Sequence, residues 1–101
     1  MIPTWTLKQH IKGNTLNAKN ITFPFDVSDC KIDLEFRIGT GSTVMFFWST
    51  ENNTFERTSD FIIKMKSKML DQKQGMYSGF LKVTFPDGTV ETYFKANLQI
   101  I

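Results

Sequence analysis

Between Gly75 and Ile101 two long runs flank Phe85-Pro86-Asp87-Gly88, and little but a β-hairpin accommodates that pattern. Pro86 fixes φ near the value required at the second position of a type I turn. Asp87 suits the third, and Gly88 supplies the positive φ that closes such a turn into a hairpin. In the first run Tyr77, Gly79, Leu81, Val83 and Phe85 share one face. Ser78, Lys82 and Thr84 share the other, with Met76 and Phe80 as apolar exceptions. A period of two is the signature of a half-buried strand. The return run is less regular, with Val90, Thr92 and Phe94 alternating against Glu91, Tyr93 and Lys95. An isolated hairpin is marginal in water, so other segments must cover one of its faces.

Those segments are themselves strand-like. Lys31 to Ile38 alternates Ile32, Leu34, Phe36 and Ile38 against Lys31, Asp33, Glu35 and Arg37. Thr4 to Ile11 reads as an edge strand and Asn20 to Phe25 as a second strand. Pro24 in that second strand removes a ladder donor and belongs at an edge or bulge. Val44 to Ser49 is a nearly continuous apolar run, either buried on both faces or presenting one face to an interface. Phe61 to Lys66 is a further strand. Lys12 to Thr15 and Gly39 to Ser42 read as turns, Thr50 to Asp60 as polar and turn-rich, and Ser67 to Gln74 as one or two helical turns with Met69 and Leu70 inward. The 101 residues make one domain, residues 1–101. About seven strands at this spacing predict an all-β, immunoglobulin-like antiparallel β-sandwich, with an SH3-like or OB-type barrel as the other candidate.

The residue inventory offers little for chemistry. His10 and Cys30 are the sole histidine and cysteine. No internal disulfide, catalytic triad or structural zinc site is therefore expected, and Cys30 reads as a buried small hydrophobe. Gly39-Thr40-Gly41 lacks the lysine and helix of a phosphate-binding loop. Asp33 and Glu35 share a strand face with Lys31 and Arg37, which reads as a solvated charged face. The prediction is therefore no enzyme, no metal and no cofactor. A net charge of +2 with scattered bases argues against nucleic acid as a partner. The N terminus reads as lacking a secretory leader, and no run approaches the ~20 apolar residues of a membrane span. The Asn-x-Thr sequons at Asn20 and Asn52 are read as chance.

Two features stand out as contact surfaces. Phe46 and Trp48 lie in the apolar run, and Trp5 lies in an N-terminal segment that is either tucked into the fold or an arm reaching a neighbouring subunit. The residues Trp5, Phe46 and Trp48 are the expected interface anchors, since large aromatics are enriched at interface centres. Thr50 to Asp60 would form their polar rim.

The order of short motifs adds a resemblance. It runs through Gly13-Asn14-Thr15, Phe36-Arg37, Gly75-Met76-Tyr77, Phe85-Pro86-Asp87-Gly88-Thr89-Val90, Thr92-Tyr93 and Ile100. From about Leu7 onward the chain resembles the N-terminal domain of phage baseplate upper proteins and related small tail and virion proteins. Asn14 stands where the family has an acid, and Phe25 to Cys30 only loosely echoes the family's Asp-Leu-Thr-Gly box. The resemblance implies a non-enzymatic virion building block with an immunoglobulin-like fold, made in the bacterial host cytoplasm. It implies several copies in a symmetric assembly, docked to one another or to other virion structural proteins. Tail or baseplate is the leading location. The alternatives are a head decoration or fibre-anchoring protein of the capsid and, in a different class, a carbohydrate-binding module with Trp5, Trp48 or Tyr93 as its sugar platform.

Overall fold

A computed structural model describes residues 3–39 and 41–101. The described residues form ten strands and no helix: β1 (Thr4–Thr6), β2 (Thr15–Leu16), β3 (Lys19–Thr22), β4 (Lys31–Ile38), β5 (Phe46–Ser49), β6 (Phe55–Arg57), β7 (Ile62–Met65), β8 (Lys68–Met69), β9 (Gly75–Thr84) and β10 (Val90–Ile100). A five-stranded sheet has the order β1-β10-β9-β4-β5, and a three-stranded sheet has the order β3-β7-β6. The small pair β2-β8 continues the second sheet in one register. Three residues on from Leu16↔Lys68, along both strands, comes Lys19↔Met65. One cluster of buried side chains is shared by both sheets, an all-β arrangement consistent with a sandwich.

The hairpin is built as its residues dictate. Phe85 O accepts from Gly88 N at 2.9 Å, and Phe85 N donates to Thr89 O at 2.8 Å. Gly88 has φ of 90°, the left-handed conformation that an L side chain adopts only under strain. Asp87 Oδ1 accepts from Thr89 N at 2.9 Å and fixes the corner from inside. The irregular return strand has a local cause. Thr92 pairs with Lys82 and Phe94 with Leu81, so Tyr93 is an extra residue without a partner. This β-bulge reverses the phase of the strand. Beyond it Phe94, Ala96, Leu98 and Ile100 all turn into the core.

Three expectations are corrected. The count is ten strands rather than about seven, because three short strands form outside the expected ones: β2 after the Lys12–Thr15 turn, β8 in the stretch read as helical, and β6 in the polar stretch, around the buried Phe55. Ser67 to Gln74 is not helical: Lys68–Met69 is extended and pairs with β2. Successive residues of an extended chain point to opposite sides, so Leu70 is fully buried whereas Met69 is 60% exposed. The second strand also ends at Thr22, leaving Pro24 exposed in a bend beyond the ladder.

Candidate functional site

The two aromatic anchors of the apolar run are inside. In β5, alternation turns Phe46 and Trp48 inward and Phe47 outward; Trp48 is fully buried and Phe46 is 6% exposed. Phe46 stacks on Phe36 at 4.9 Å and meets Tyr77 at 5.3 Å, while Trp48 packs edge-on against both Phe36 and Phe46. Trp48 Nε1 donates to Lys66 O at 2.9 Å and so ties the edge of one sheet to the other. Neither side chain can reach a partner without opening the core. The expectation that they are surface anchors is corrected, and the physical reason is the strand's period of two, which the continuous apolar composition conceals. The same burial removes Trp48 as a sugar platform.

The outward face of the five-stranded sheet carries part of the exposed apolar surface, with Ile11, Phe61, Met69 and Ile101 exposed elsewhere. Glu35 lies between Phe47 of β5 and Phe80 of β9, since it pairs with both. Phe47 is 40% and Phe80 42% exposed, and Met76, four residues along β9, is 55% exposed. Some of the charged groups around them are mutually engaged, whereas Lys95, the cross-strand neighbour of Phe80, and Lys82, two residues along β9, lie outside these pairs. Arg37 lies 3.2 Å from Glu35, and Lys31 lies 3.6 Å from Asp33 and 3.5 Å from Glu51. Asp33 also accepts from Ser49 Oγ at 2.6 Å. The two carboxylates of this face are thus held by separate partners. The neighbouring carboxylates, Asp33 first, push the Lys31 ammonium pKa up. Met76 and Phe80, which interrupt the alternation in sequence, are the signal that marks this face; Phe47 was masked by its apolar neighbours.

Lys68 stands at the rim of the same sheet. Its Nζ lies 5.2 Å from the Trp48 ring centroid and 5.9 Å from that of Phe47, within the range of a cation–π contact. Burial lowers its pKa from the usual lysine value. With the Thr54 hydroxyl, which accepts from Ser49 N at 2.8 Å, it covers the free edge of β5. Arg57, the last residue of β6, pairs with Ile63 and ties down the neighbouring loop by donating to the carbonyls of Val27 and Cys30.

Trp5, the third expected anchor, is half-buried, set edge-on to Phe94 at 5.6 Å. It lines a groove of about 360 Å³ between the free edges of β1 and β3, floored by Tyr93 and Phe94. Tyr93 also packs on Phe23 at 4.9 Å and on Phe25 at 5.9 Å. Trp5 lines a second, more polar groove of about 420 Å³ that runs on past Lys8, His10 and Lys19. His10 itself is buried, and its Nε2 donates to Asn14 O at 2.7 Å. The turn residues Pro86, Asp87 and Gly88 form the exposed hairpin tip and line neither groove.

Of the remaining motif residues, Gly13-Asn14-Thr15 leads into β2, Phe36-Arg37 ends near the close of β4, and Gly75-Met76-Tyr77 opens β9. The buried Tyr77 donates its hydroxyl to Lys73 O at 2.5 Å, and burial raises its pKa, with Lys12 opposing. No protein-family model and no curated protein matches this chain.

Proposed function

We propose that this chain is a non-enzymatic structural protein of a phage virion, tail or baseplate associated, that works by protein–protein contact in several copies. The observation that carries this reading is the outward sheet face with Phe47, Phe80 and Met76 exposed beside the Glu35–Arg37 ion pair. Apolar side chains exposed on one sheet face mark a contact surface. Glu35 and Arg37 among them already pair with one another, which lowers the cost of covering those two charges. The motif order from Gly13 to Ile100 supports the phage assignment by resemblance.

The finer fold assignment, an immunoglobulin-like sandwich, has its own support. Naming the strands of such a sandwich A to G, β3-β7-β6 falls in the order B-E-D and β10-β9-β4-β5 in the order G-F-C-C′. Tyr77 near the start of the F-like strand, bonded to the backbone four residues upstream, has the geometry of a tyrosine corner. Gly79 stands two residues after it, where the disulfide-bonded cysteine of antibody domains would be, and Cys30 is free and buried elsewhere. Shape and packing therefore replace a cross-link between the two sheets.

The test is Phe80→Asp, a change at a side chain outside the core. The variant is expected to stay folded, with a somewhat lower melt because the new carboxylate stands opposite Glu35, and to be lost from assembled particles, read as copies per particle by quantitative mass spectrometry. Full incorporation of a folded Phe80→Asp chain would remove this face as the contact surface.

A further inference from the structure

We infer that the groove between β1 and β3 is an acceptor for one extended strand of a partner protein, which pairs with the open edges and carries carboxylates at the Lys8–Lys19 end. The main-chain pattern comes first. Phe23 N donates to Phe61 O at 2.8 Å, continuing the β3–β7 register, so residues 19, 21 and 23 bond to β7. In an antiparallel pair bonded and non-bonded positions alternate, which turns the backbone N–H and C=O of Asn20 and Thr22 away from β7. On the other wall Pro3 O accepts from Lys95 N and Leu7 N donates to Asn97 O, both at 2.9 Å. Residues 3, 5 and 7 thus serve β10, and the backbone groups of Thr4 and Thr6 face outward.

The free edge of β5 is guarded by Lys68 and Thr54. Unpaired edges invite strand addition, and folds usually blunt them. Among the described residues, β1 and β3 have no such cover on the groove side; each has a single sheet neighbour. A strand laid there gains main-chain bonds for affinity, and alternate side chains for specificity. Its inward apolar side chain would sit on Trp5, Ile21 and Phe94. Charge complementarity identifies the other end. The linings of the two grooves that meet at Trp5 contain Lys8, Lys19 and His10 and no carboxylate. An acidic extended segment fits; a basic one does not.

The probe is an acetylated eight-residue peptide alternating Val and Thr, with Phe near one end and two Glu near the other, used with its reverse sequence to cover both strand directions. One or other is expected to give saturable NMR shifts at the amides of Thr4, Thr6, Asn20 and Thr22. Methylating alternate peptide nitrogens, or replacing Glu by Lys, should weaken binding at least tenfold. Thr22→Pro should do the same, because the Thr22 N–H faces the groove and proline is tolerated there on an edge strand. Should that variant unfold, the methylated peptide still decides. No saturable shift at those amides with either peptide, or equal binding of the methylated one, overturns the inference. This inference concerns the edge and the proposed assembly contact concerns the sheet face, so peptide binding and particle incorporation fail independently.

Discussion

At Gly79 and Gly88 the same residue type is required for different reasons. A Cβ on Gly79 would lie 2.4 Å from Glu35 O, because β9 and β4 approach closely there; at Gly88 a Cβ would meet nothing within 4 Å, but φ is 90°. Gly79→Ala is therefore expected to destabilise by overpacking, on the order of 1–3 kcal/mol. Gly88→Val should cost roughly 1–3 kcal/mol through backbone strain alone. Denaturant titration distinguishes the two sites: at Gly88 an Asn, which tolerates positive φ, should recover much of the loss, whereas at Gly79 it should not. Trp48→Ser removes a buried ring and leaves Lys66 O without its donor. A loss of about 3–5 kcal/mol follows from the size of the cavity, and the variant should be largely unfolded. A Trp48→Ser chain with an unchanged melt would contradict the packing described.

The hairpin was legible in the sequence because its turn chemistry and its first strand agree with one another, and Gly88 has the positive φ expected of it. So was β4, whose four alternating pairs span Lys31–Ile38 as read. What strict alternation could not reveal is the bulge at Tyr93, since one inserted residue reverses inward and outward for all that follows. Composition also misled in β5, where three aromatics in a row hide which one faces out. Trp5, Phe46 and Trp48 were all legible as important aromatics, yet their exposure depends on pairing partners far away in sequence. Nor could the groove be anticipated, because it arises where two edges separated in sequence face each other. At this scale the hairpin tip has a pH signature. Hydrogen bonding from the Thr89 backbone holds the Asp87 carboxyl pKa below its ordinary value. A depressed pKa stabilises the fold above the ordinary carboxylate range, and the contribution is lost as pH falls through the lowered value. Asp87→Asn should therefore melt lower than the parent at neutral pH, with the difference shrinking in acid. A pH-independent difference would exclude the carboxylate as the source.

Over the whole molecule, burial and exposure divide the work. The inward faces of both sheets form one cluster, with Tyr77, Phe36, Phe46 and Trp48 at one part and Phe23, Tyr93 and Phe94 at another. Ion pairs lie on the surface, such as Lys12 with Asp71 at 2.8 Å, both largely exposed. Pairs of that kind contribute little stability in water. Stability thus belongs to the aromatic interior, and the outward sheet face is free to be used for contact. A few fully desolvated anchors of the Phe47 and Phe80 kind can each contribute ~2 kcal/mol, and symmetry multiplies a repeated contact. The most direct check of a virion structural role is quantitative mass spectrometry of purified phage particles. This chain is expected at several copies per particle, resistant to salt washing. A chain abundant in infected cells but absent from purified particles would contradict it.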